Sequence, residues 1–268
     1  MKETVILALL AIMSTGALAL DPAQTEFEHN GWFRYTNQST NFGITDPSVS
    51  RLALERGYIR LSHQWTSALF TKFTLDFHSS DKYAEGATVR LKEAYVDLAI
   101  PFLKDFNLTA GLQKHYFGLI YSWDYTHPDK ALADAQGVCA SADYGVTVNG
   151  FLPKGLGELQ LGVYNGEGYK YTGAKNSVAP ELLANLRLTP FAGVQIGASV
   201  FMKAKDISPY ANNVSGGKLS TDRKKWLLAD TANMDRMAVA PMAKVAFGPV
   251  SLTGEYIIYN YTRDYGYY

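Results

Sequence analysis

The chain has a single cysteine, Cys139, so no intramolecular disulfide framework braces it. That thiol reads as an incidental buried or loop residue. Charge of either sign is not in excess: 25 basic residues balance 25 acidic ones, which gives no reason to expect nucleic acid as a partner. Past the first twenty residues no apolar run approaches the ~18 uninterrupted positions of a membrane helix. Sustained helical periodicity is missing too, although 129–136 has room for one or two turns. There is no HExxH, CxxC or G-x-S-x-G pattern and no phosphate-binding glycine loop. The histidines, His29, His63, His78, His115 and His127, are scattered. His78-Ser79-Ser80-Asp81 sets the residue types of a hydrolytic triad side by side, but triads are made by geometry rather than adjacency, and these four read as loop neighbours. No catalytic residue, metal ligand or cofactor site emerges, and the expectation is a protein that is not an enzyme.

What is present is apolar and aromatic: 47% and 13% of the residues, with eighteen tyrosines. At the N-terminus Lys2 precedes an apolar run from Val5 to Met13. Ala17-Leu18-Ala19 then offers an A-x-A cleavage pattern before polar Asp21-Pro22. This reads as a secretory signal peptide over 1–19, too short for an anchor of ~20 residues, leaving 20–268 as one exported domain.

Beyond it the sequence alternates. Ala94, Val96, Leu98 and Ile100 share one parity, with Glu93, Tyr95 and Asp97 on the other. After a Pro101–Asp105 turn, Phe106, Leu108, Ala110 and Leu112 oppose Asn107, Thr109, Gly111 and Gln113. Side chains on a strand alternate with period two, so each arm has an apolar and a polar face. About eleven such strands are predicted, each near the length that crosses a bilayer at a tilt. They lie near 27–37, 54–65, 68–78, 89–101, 105–117, 142–152, 157–166, 180–190, 193–203, 237–247 and 250–261. Tight links at 66–67, 101–105, 153–157, 191–192 and 248–249 alternate with long polar links. Short turns at one rim and long loops at the other are how outer-membrane barrels are built. The predicted fold is an all-β transmembrane antiparallel up-and-down β-barrel with about 11–12 strands present.

Facing follows from cost, since Arg or Lys on the lipid face near the midplane costs about 2–4 kcal/mol. The polar parity therefore faces inward, and the predicted pore lining is Arg34, Arg56, Arg60, Lys72, Asp76, Glu93, Tyr95, Asp97, Gln113, Arg187 and Lys203. Small inward residues, Gly111, Gly145, Gly162, Gly197 and Ser199, favour a water-filled channel over a plug. Trp32, Trp65 and Trp123 fall near predicted strand ends, where aromatic girdles belong.

The string LKEAYVDL, a turn, then LTAGLQKHYFG resembles the signature of the phosphate-selective porin O and P family and of related general outer-membrane porins. Glu93-Ala94-Tyr95, Gly111, Lys114, Phe117 and Gly118 match, while Tyr116 stands where that family usually has proline. The resemblance implies a channel for small hydrophilic solutes or ions, often a homotrimer, in the lipid and lipopolysaccharide of a Gram-negative outer membrane. Phosphate selectivity does not carry over, because Arg34, Arg56, Arg60, Lys72, Arg187 and Lys203 are offset by Glu28, Asp76, Glu93, Asp97, Glu181 and Glu255. In many porins the third external loop folds inward. On that analogy residues 119–141 would set Asp124, Asp129 and Asp134 as an acidic edge in the pore; the other reading is a solvated loop. A sugar or oligosaccharide channel and a non-conducting adhesin or structural barrel are the alternatives. An odd strand count would leave the last strand at the external rim. The expectation is therefore the N-terminal portion of a longer porin of about 16 strands, rather than one miscounted strand.

Overall fold

The computed structural model describes residues 22–38, 49–79, 87–119, 131–166, 168–169, 180–204 and 234–263. The predicted signal peptide, Asp124, Asp129, Trp123, Ser80 and Asp81 lie outside the described residues. Within them the strands are β1 (Thr25–Gln38), β2 (Val49–Thr66), β3 (Leu69–Ser79), β4 (Ala87–Ala99), β5 (Phe106–Lys114) and β6 (Ala142–Leu152). They continue as β7 (Gly157–Tyr164), β8 (Glu181–Phe191), β9 (Val194–Lys203), β10 (Met234–Phe247), β11 (Val250–Glu255) and β12 (Ile258–Arg263). One short helix, α1 (Leu132–Ala135), falls inside the stretch predicted to hold a helical turn.

The chain divides into two units, Met1–Leu91 and Lys92–Tyr268. In the first, β1 pairs with β2 and β2 with β3. In the second, β4 to β10 pair in chain order, and β11 and β12 both pair with β10. Every one of these pairings is antiparallel, so the fold is all-β and up-and-down, the strand order of a barrel wall.

Two predicted strands come out differently, each for a local reason. Residues 250–261 are two strands rather than one. Pro241, opposite the break, has no N–H to give to the ladder. Its carbonyl accepts from Tyr256 N at 3.1 Å, and pairing resumes only at Val239 opposite Ile258. The other case is β5, which stops at Lys114 rather than continuing to 117. Phe117 N turns back onto His115 O at 2.9 Å, a three-residue turn that takes the chain off the sheet.

The faces sort as the alternation predicts. On β2, Arg56, Tyr58 and Arg60 are buried while Ile59 and Leu61 are exposed. On β8, Asn185 and Arg187 are 0% and 7% exposed, against 47% and 40% for Leu182 and Leu186. Ser199 and Lys203 on β9 are buried, Ile196 and Met202 exposed. A protein surrounded by water does the reverse, because each large apolar side chain left exposed forgoes about 1.5–3 kcal/mol. Trp32 departs from the girdle expectation. It lies in mid-strand on the charged face, edge-on to Tyr58 with ring centroids 6.1 Å apart. Trp65 does sit at a strand end, its indole N–H donating to Thr71 Oγ1 at 3.0 Å.

Candidate functional site

In the first unit, five of the predicted lining residues share one face of β1, β2 and β3. Tyr58 is at the centre, its hydroxyl accepting from Arg56 at 2.9 Å and its ring 5.1 Å beneath the Arg60 guanidinium. Arg60 also binds Glu28, its register partner on β1, at 2.7 Å. Asp76 stands opposite Tyr58, and Lys72 opposite Ser62. Arg34 and Lys72 are half-buried farther along the same face.

In the second unit the antiparallel register stacks inward-facing residues into rows that cross the sheet. The uppermost row that spans β4 to β10, towards the long loops, reads Tyr95, Gly111, Gly145, Tyr164, Glu181, Lys203, Arg236. Below it come Asp97, Thr109, Thr147, Gly162, Leu183, Phe201 and Ala238. A third row is uncharged and hydrogen-bonding: Asn107, Asn149, Gln160, Asn185, Ser199. Glu158 and Arg187 form an ion pair in the fourth, near the short turns. Asp97 accepts from Thr109, and Gln113 ties β5 to β6 by donating to Gly145 O at 3.0 Å and accepting from Thr147 at 2.7 Å. Glu93 is buried on β4.

The chain after β5 covers this face. His115 Nε2 pairs with Glu181 Oε1 at the top row, and Arg236 reaches the other Glu181 oxygen at 3.2 Å. Two rows lower, Asn185 Nδ2 donates to Tyr116 O at 2.9 Å and to Gly118 O at 3.2 Å. Gly118 N donates to Ser199 Oγ at 2.9 Å, and Leu119 N to Glu255 Oε2 at 2.7 Å. The segment 115–119 is thus a strap running down the rows with its backbone hydrogen-bonded to the wall. Phe117 fills an apolar patch formed by Leu183, Phe201, Ala238 and Ala240. Its ring centroid is 5.1 Å from that of Phe201. Ala133 of α1, with Val138 and Cys139, packs into the same cluster from the returning limb of the loop.

Sequence features explain why the strap fits. Gly118 has φ +87°, where side chains are rarely accommodated, and a Cβ there would collide with the Glu255 carboxylate. Gly118→Val is expected to destabilise the fold by about 1–3 kcal/mol, from backbone strain alone, in urea titrations. The glycines expected to leave room for water instead leave room for a ring: Cβ atoms at Gly145 and Gly162 would each come within 2.6 Å of Tyr164. A packed apolar cluster lies beneath the strap at this level.

Electrostatics reinforce the attachment. Burial disfavours the charged His115 ring, but the Glu181 carboxylate beside it outweighs that and raises its pKa to about 10. Burial likewise pushes the Cys139 thiol up, which keeps it protonated and unreactive. Burial, with the Asp97 and Glu93 carboxylates, raises the Tyr116 hydroxyl.

Of the predicted constriction residues, only Asp134 is described, half-buried in α1. Residues not proposed from sequence carry most of the attachment: His115, Glu181, Asn185, Ser199, Arg236 and Glu255. The parity of Glu181, Asn185 and Ser199 marked them as inward. Arg236 lay one residue outside its predicted strand, and His115 was placed inside one.

Fold and site together define a class, an up-and-down antiparallel β-protein with a buried charged face, an exposed apolar face and a loop strapped across the former. No protein-family model matches the chain, and no curated protein matches it.

Proposed function

We propose that the protein is an outer-membrane porin, a β-barrel channel for passive diffusion of small hydrophilic solutes or ions. The supporting observation is the inverted solvation of its strands: apolar side chains outside, charges and amides inside. Lipid is the surrounding in which that arrangement is favourable, and a polar inner face suits a water-lined path. On this reading the N-terminal segment directs export through the periplasm, and the outward face meets lipid and lipopolysaccharide of a Gram-negative cell. The charged rows act as rings that bias which ions pass. The strap narrows the path beside β8 and β9.

The uncharged row from Asn107 to Ser199 favours a second reading, a channel for sugars or oligosaccharides, since amides and hydroxyls match polyol hydroxyls without demanding charge. Planar-bilayer recordings of the purified protein separate the two. A stable current with weak ion preference supports the general porin, and current blocked by millimolar neutral oligosaccharide supports the sugar channel. Absence of current in repeated reconstitutions overturns both and leaves a non-conducting barrel.

A further inference from the structure

We propose that the strap His115–Leu119 is a releasable latch, held by Glu181, Asn185 and Ser199, whose detachment widens the passage. The inference rests on the porin reading. Three features point to release as a unit rather than to a permanent plug. The strap is attached by polar contacts at two rows, to Glu181 in one and to Asn185 and Ser199 in the other. Its apolar anchorage is confined to two adjacent rings, Phe117 within the cluster beneath it and Tyr116 packed against that cluster. Glu181 serves two cationic partners at once, so it still has Arg236 when His115 leaves, and its charge is not stranded. A latch needs that property, because an unpaired buried carboxylate would make release prohibitively costly.

His115 meets Tyr164 on β7, Glu181 on β8, Phe201 on β9 and Cys139 on the returning limb, and it interacts with the charge of Asp143 on β6; Arg236 and Lys203 act on Glu181, and Asp134 on Cys139. Its imidazolium is the cation that joins the strap to Glu181. The raised pKa fixes the sign of the pH dependence. The stabilisation it gives the latch is fully present below the ordinary histidine range near 6.5 and is lost as pH rises through about 10.

The chain carries its own reporter. Cys139 is the only cysteine and is buried against the strap, so its reaction with maleimide measures release whether or not current flows. Labelling of the folded protein at pH 7 is compared with that of the urea-unfolded chain at the same pH. Glu181→Gln and Asn185→Ala are each expected to speed labelling at pH 7 by about tenfold or more, because each removes a buried polar partner. Ile196→Ala, on the exposed face, serves as control and is expected to leave labelling unchanged. In the wild-type protein the unitary conductance is expected to rise as pH passes about 10. Recordings in planar bilayers are expected to show larger unitary conductance for both latch variants. Unchanged labelling in both variants, each confirmed folded by circular dichroism, overturns the latch. Faster labelling with unchanged conductance overturns its role in setting width. No current in any protein, wild type included, overturns the porin reading instead, and the latch is then judged on labelling alone.

Discussion

Leu186→Arg is expected to destabilise the bilayer-inserted protein by about 2–4 kcal/mol, the cost of a guanidinium on the lipid face near the midplane. Leu186 lies in the interior of β8 and is 40% exposed, between inward-facing Asn185 and Arg187. Phe191→Arg, at the end of the same strand and likewise exposed, provides the depth control. Near an interface the cost falls to about 0–1 kcal/mol. Reversible urea unfolding in lipid vesicles measures both. Equal costs at the two positions, or a negligible cost at Leu186, would mean that water rather than lipid meets this face. In a water-soluble protein an exposed Leu→Arg exchange usually changes stability by only about 0.5 kcal/mol.

Phe201→Ala is expected to cost about 3–5 kcal/mol, the range for deleting a fully buried aromatic ring. Phe201 has no exposed surface and is surrounded by other rings. The His115 and Tyr259 centroids lie 6.0 and 6.4 Å away, and Phe117 is closer still. Removing it takes the floor from under Phe117 as well as leaving a cavity. The strap is therefore expected to loosen together with the fold, seen as faster maleimide labelling of Cys139. The neighbouring Met202 points to the opposite face and is half exposed, and Met202→Ala is expected to change stability by about 0.5 kcal/mol. A Phe201→Ala protein as stable as Met202→Ala would show that the cluster beneath the strap is not a packed core.

Much of the architecture was readable before the structure. The strand near 142–152 and the split of Leu182 and Leu186 from Asn185 and Arg187 follow from period-two alternation, which is a local property of the chain. The short turns at 153–156 and 248–249 follow from proline and glycine, whose backbone preferences are equally local. Pro241 was legible in principle as well. Its missing N–H interrupts the partner strand rather than its own, so the consequence appears at Tyr256, fifteen residues away in the chain and across the ladder.

The candidate site was legible only in part. Arg187 and Lys203 could be assigned to the inner face by parity, but not their partners Glu158 and Asn165, which sit across β-ladders or in the loop beyond. His115 looked like the continuation of a strand because its neighbours keep alternating, and only the turn of Phe117 onto His115 diverts the chain.

By itself, then, the sequence determined the strands, their two faces and which connections are tight, because alternation and turn chemistry act over a few residues. Only the tertiary structure decided that the chain after β5 is strapped to the charged face. The His115–Glu181 contact joins residues 66 positions apart, and it exists because register brings Glu181, Lys203 and Arg236 into one row. Register is a property of neighbouring strands together, and no single segment encodes it.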